Sequence, residues 1–214
     1  TKKLFRFLIS ETITPPRELI EPLATSFRKS GYDFGALVQT MLRSNLFFSD
    51  QVYRTRIKAP VDFALGIVRG LEGRIGSTPL AGVLEQLGQN VLYPPSVKGW
   101  DGGEAWLNGQ TLLFRQNLAL ALTSTEDVRF GRRCDPAALA RKYGKKDDKE
   151  VVDFFLDLFL QGDVAEESRT RLLLFHEKSH KMKVPVYWTA QDAADNRVRT
   201  LCHLVLTQPD FQLD

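Results

Sequence analysis

The sequence predicts an all-α protein: an irregular multi-helix bundle of about eight to ten helices with one ordered loop, rich in proline and glycine, around residues 92–108. Apolar residues recur at spacings of three and four along most of the chain. No stretch alternates apolar and polar residues for long enough to build a sheet. A chain of 214 residues with 43% hydrophobic content is also large enough to fill a sizeable core, which excludes intrinsic disorder.

The elements follow in order. Lys2–Ile9 is a short amphipathic stretch, stopped before Pro15 and Pro16. Pro16 suits the opening turn of a second helix carrying Leu19, Leu23 and Phe27, which Pro22 divides or kinks and Gly31 closes. Asp33 reads as the N-cap of a helix over 34–45, in which Leu37, Val38, Met41 and Leu42 share one face. Ser49 and Asp50 cap a short turn near Tyr53. Pro60 then starts a helix through Phe63, Ala64, Ile67, Val68 and Leu71, with Gly70 and Gly73 at its end. Thr78 and Pro79 open the next, through Leu80, Val83, Leu84 and Leu87 to Gly88.

The segment from Leu92 to Gly103 holds too much proline and glycine for a regular element, yet carries Tyr93 and Trp100, so it is expected to pack on the helical body. Asn108 caps a long helix over 110–122. A connector leads to a short helix over 136–143 and then to the charged break Gly144–Lys149, the best linker candidate. Val151–Phe159 forms an apolar helix ended by Gly162, and Ala165–Phe175 supplies its partner. Thr189 and Asp192 resemble a capping box before the last helix, which ends near Pro209.

Charge and composition restrict function. Lys plus Arg number 29 against 26 Asp plus Glu, a net charge of only +3, so no nucleic-acid grip is expected. The basic series Arg129, Arg132, Arg133, Arg141, Lys142, Lys145 and Lys146 is interrupted by acids and reads as a solvated face. No apolar run is long enough to span a bilayer. The phosphate-loop, dinucleotide and serine-hydrolase signatures are missing from the sequence. Two cysteines allow at most one bridge; Cys202, between Leu201 and Leu204, is most simply a core residue, and nothing around Cys134 argues for a nucleophile.

Two constellations carry chemistry. His176-Glu177-Lys178-Ser179-His180 is a literal H-E-x-x-H, in which helical spacing would let both imidazoles bind zinc while Glu177 acts as general base for hydrolysis. The third ligand would have to come from Asp192, Asp195, His203, Asp210 or Asp214 downstream. Lys178, Lys181 and Lys183 oppose a dication, and Val184-Pro185 ends the helix soon after His180. The expectation is therefore an exposed basic helix end with no metal and no cofactor, zinc being the alternative. In the second constellation, Lys98, Trp100, Asp101, Trp106 and Asn108 could shape a weak ligand-binding cleft, for instance for a glycan stacked on tryptophan. The competing expectation makes Trp100 and Trp106 anchors that dock the loop.

Several blocks resemble a known bacterial family. They are Phe34–Val38 with Met41–Ser44 and Phe47-Phe48, then Arg56–Val61, then Leu87-Gly88-Gln89 with Tyr93–Trp100, then Trp106-Leu107-Asn108 and Arg115-Gln116-Asn117, and finally Arg199–Leu206 with Pro209–Leu213. Together they look like the C-terminal part of the family called domain of unknown function 1800. The H-E-x-x-H lies between these blocks, in the stretch 123–188 that matches least. The resemblance implies large bacterial proteins common in planctomycetes, frequently exported, with no established reaction and no catalytic residues to carry over. It also implies an N-terminal portion preceding this piece, which would be its first partner, and a periplasmic or cell-envelope location. On this reading residues 1–214 form one all-helical domain, subdivided into a family-like core over 1–123 and a helical part over 124–214 whose last helix packs back on that core. The expected function is a non-catalytic helical module with a structural or interaction role towards a protein partner or an envelope glycan; the alternative is a zinc-dependent hydrolase.

Overall fold

The computed structural model describes residues 1–130 and 133–214. Among them are ten α-helices and no strand: α1 (Lys2–Leu8), α2 (Arg17–Lys29), α3 (Phe34–Leu42), α4 (Pro60–Gly70), α5 (Ser77–Gln86), α6 (Gly109–Thr123), α7 (Pro136–Lys142), α8 (Asp148–Leu160), α9 (Glu166–Ser179) and α10 (Ala190–Leu206). Short 3-10 turns cover Gly103–Trp106 and Pro209–Gln212. The all-α expectation holds, and among the described residues no helix is long and apolar enough to cross a membrane. The chain divides into two compact units, Thr1–Ile57 with Leu213–Asp214, and Lys58–Gln212. The division falls between Ile57 and Lys58, so α4–α6 and α7–α10 belong to one unit.

In the smaller unit α3 packs on α1 and α2 around Phe5, Ile9, Ile20, Leu37 and Met41. Asp33 caps α3 as expected, its carboxylate accepting the Ala36 N–H at 3.0 Å. The helix stops at Leu42 rather than reaching residue 45. There the Ser44 hydroxyl donates to the Met41 carbonyl and accepts the Phe47 N–H, offering the backbone a turn in place of another helical bond. Pro22 does not divide α2, which runs unbroken from Arg17 to Lys29.

In the larger unit α10 lies against α6, α7, α8 and α9, while α4 packs on α5, α6 and α8. Their shared core includes Phe63, Ile67, Leu122, Phe155, Leu156, Leu201 and Val205, each essentially fully buried; side chains of this size stabilise by about 1.5–3 kcal/mol each on burial. Three caps read from the sequence recur. Pro60 opens α4. The Asn108 carboxamide accepts the Gln110 and Thr111 N–H groups at 2.9 Å each. Thr189 and Asp192 form a reciprocal capping box at α10. Gly70 and Gly73 do more than end α4. A Cβ on Gly70 would meet the Phe159 ring at 2.5 Å, and one on Gly73 would meet the Cys134 Sγ at 2.1 Å, so both glycines mark close approaches of backbone to core.

Arg115 of α6 is fully buried, a placement that charge patterning does not suggest. Its guanidinium donates to the Lys58 carbonyl at 2.7 Å and to Gln212 Oε1 at 3.3 Å, and lies 5.0 Å from the Phe63 ring centroid. Burial pushes its pKa down to about 10. It ties the segment before α4 to the C-terminal turn.

Candidate functional site

The loop at 92–108 is only partly the packed element expected. Trp106 is a buried anchor, its carbonyl accepting the Thr111 hydroxyl at 3.1 Å. Trp100 is half-buried. Tyr93, expected to pack, is 75% exposed, with Leu92 and Val97 exposed beside it. Local hydrogen bonds hold this segment instead, Gly99 N–H to the Ser96 carbonyl and Lys98 N–H to Ser96 Oγ, so its shape does not require buried rings. Lys98 and Asp101 are exposed, and the Asn108 carboxamide oxygen is engaged by the helix it caps.

Three members of the basic series are paired. Arg129 forks onto Asp127, Arg141 meets Asp195, and Lys142 meets Glu72, as a solvated, acid-interrupted face requires. Arg132 lies outside the described residues. Both cysteines are free and buried, and burial raises their thiol pKa values, that of Cys134 to about 11, which keeps them protonated.

The H-E-x-x-H occupies the end of α9. His176 lies in the last turn and His180 is the C-cap, so the four-residue spacing places both imidazoles on one side of the helix with ring centroids 5.9 Å apart. Asp148, the first residue of α8, faces them. It follows the N-cap Asp147, whose carboxylate accepts the Glu150 N–H at 2.8 Å, and the positive end of the α8 dipole favours acidic residues in this turn. The Asp148 Oδ1 lies 2.9 Å from His180 Nε2 and 3.4 Å from His176 Nε2. One ligand atom from each of the three residues falls within 4.8 Å of the others. A tetrahedral zinc ion with bonds of ~2.0–2.1 Å needs its donors about 3.3 Å apart, so both distances to the carboxylate are close to what such an ion asks.

Burial and charge set the protonation states. His176 is 3% exposed, and its Nδ1 is buried with no hydrogen-bond partner. Burial lowers its pKa, the Asp148 carboxylate opposes that shift, and His180 and Arg197 add to it. The ring is therefore neutral at pH 7, the form in which imidazole binds metal. His180 is half-exposed and gives access from solvent. The α9 C-terminus contributes the negative end of its dipole, which favours a cation there.

The third donor was missed in the sequence because it lies upstream. Asp192 is used in the α10 capping box, while Asp195 lines the cavity beside the two histidines but accepts from Arg141 and Gln191 and forms an ion pair with Arg199 at 3.6 Å. His203 lines a different cavity, with Trp188 and Asn196. Asp214 belongs to the smaller unit. Glu177 is exposed, and the residues around the cavity beside the two histidines do not include it, so the base required for hydrolysis is not placed with the donors.

Ten helices among the described residues, with an Asp-His-His cluster between two helix ends, define an α-helical domain bearing a candidate metal centre. This chain belongs to the family described as Protein of unknown function (DUF1800), which matches residues 1–213. No curated protein and no solved structure matches it.

Proposed function

We propose that this domain is a non-catalytic helical module that binds one divalent transition-metal ion, zinc in the first instance, through Asp148, His176 and His180. The observation that carries the reading is the single carboxylate oxygen set 2.9 and 3.4 Å from the Nε2 atoms of two histidines one helical turn apart. Two imidazoles and a carboxylate suit zinc. A three-residue donor set leaves the fourth position open, so the ion is available to a ligand rather than enclosed as a purely structural centre. It would also link the α8 N-terminus to the α9 C-terminus, two ends otherwise joined here by one hydrogen bond, His180 to Asp148 at 2.9 Å, and a longer contact from His176 at 3.4 Å.

The test is a titration of the metal-free protein with Co2+, followed by its visible d–d absorption, and with Zn2+ by equilibrium dialysis. Wild-type protein should take up one equivalent. Asp148→Ala and the His176→Ala, His180→Ala double variant should bind at least about tenfold more weakly while keeping the wild-type helical circular dichroism. Wild-type protein that takes up no ion, or variants that match it, would overturn the proposal.

A further inference from the structure

The three donors line a cavity of about 180 Å3 whose walls come from α7, the 145–146 connector, α8, α9 and α10. Four cationic side chains line it, Arg141, Lys145, Lys146 and Arg197, against two carboxylates, Asp148 and Asp195. Their commitments differ. Arg141 is bound to Asp195, and the Lys145 ammonium lies 5.9 Å from the Phe154 ring centroid. Lys146 and Arg197 make no ion pair with any described residue, and neither is among the residues with further, unspecified interactions. Arg197 lines the same cavity as His176 and His180.

We infer that the cavity receives a phosphoryl-type oxyanion, one oxygen on the open position of the ion and the others on Lys146 and Arg197; this rests on the metal reading above. An ion held by one carboxylate and two neutral imidazoles keeps a positive charge, and two unpaired cations beside it raise the local potential further. Of the two carboxylates that line the cavity, Asp148 is a donor to the ion and Asp195 is held by arginine. Three positive groups converge on one small space, and a phosphoryl group presents three oxygens to them, where a carboxylate presents two. The guanidinium of Arg197 suits two-point recognition of such a group, and the Lys146 ammonium acts as a point charge.

Each ligand should therefore tighten the other. Co2+ alone must bind against nearby cations, whereas Co2+ with the oxyanion binds next to their counter-charge, and by linkage the two affinities rise by the same factor. The experiment measures Co2+ affinity of the wild-type chain in anion-free buffer, with methylphosphonate and with acetate. Methylphosphonate should raise it about tenfold and acetate by less. In the Lys146→Gln, Arg197→Gln double variant Co2+ should bind somewhat more tightly without anion, and the methylphosphonate effect should shrink to the acetate level. Co2+ binding insensitive to methylphosphonate would overturn the oxyanion proposal and leave the metal reading standing. Equal enhancement by acetate, or full enhancement in the double variant, would also overturn it. Wild-type protein that binds no Co2+ would overturn both.

Discussion

Replacing Gly73 with alanine tests the packing that builds the wall of the candidate site. The new Cβ would stand 2.1 Å from Cys134 Sγ and 3.0 Å from the Arg133 carbonyl oxygen. Ordinary contacts of this kind are about 3.5–4.0 Å, so the sulfur has to retreat by roughly 1.5 Å. It has little room: Cys134 is 1% exposed and sits in the main core. Moving the chain there shifts Asp135, which both caps α7 and is forked by Arg199 of α10 at 3.0 Å through each oxygen. The cost belongs at the upper end of overpacking, about 3 kcal/mol. For a chain of this size that lowers the melting temperature by about 6–12 °C, read by circular dichroism. Adding Cys134→Ala removes the sulfur and leaves the Arg133 carbonyl oxygen at 3.0 Å and the residue 134 Cβ at 3.3 Å as the nearest contacts, so the double variant should melt above Gly73→Ala alone. A Gly73→Ala protein melting within about 2 °C of wild type, or a double variant no better than the single, would refute the reasoning.

Acidification should weaken the fold of the metal-free protein. Burial lowers the pKa of both His176 and His203 from the ordinary 6.5, so the unfolded chain binds more protons than the native one below that value. Their contribution is complete above pH 6.5 and declines as the pH falls through the lowered native values; urea unfolding at pH 7.5 and 5.5 should show the loss, and His203→Gln should reduce its slope. Trp106→Ala should cost about 3–5 kcal/mol in the same assay. Tyr93→Ala, at an exposed ring, should stay within about 0.5 kcal/mol, and a comparable loss at both positions would contradict the exposures of the two rings.

What the sequence makes legible here is local. Asp33, Asn108 and the Thr189–Asp192 pair cap helices through bonds spanning two or three residues, so their chemistry is visible in a short window. Helix periodicity likewise exposes the core faces of α4 and α8. What it hides depends on residues far apart in the chain. Asp148 lies 28 positions before His176, and only the packing of α8 on α9 makes it a donor. Nothing in the sequence around Arg115 marks it as buried, because its partners, the Lys58 carbonyl and Gln212, are distant in the chain. Gly70 and Gly73 read as helix stops, because the side chains that need their missing Cβ atoms come from Phe159 and Cys134. Tyr93 fails in the opposite direction: the general tendency of aromatic rings to be buried is overridden by a loop held through its own backbone.

The metal centre is tested most directly by a crystal of the protein grown with Zn2+, with diffraction recorded on both sides of the zinc absorption edge. The account predicts one anomalous peak about 2.0–2.1 Å from an oxygen of Asp148 and from a ring nitrogen each of His176 and His180. Density showing the carboxylate hydrogen-bonded to the two rings, with zinc bound elsewhere or not at all, would contradict it.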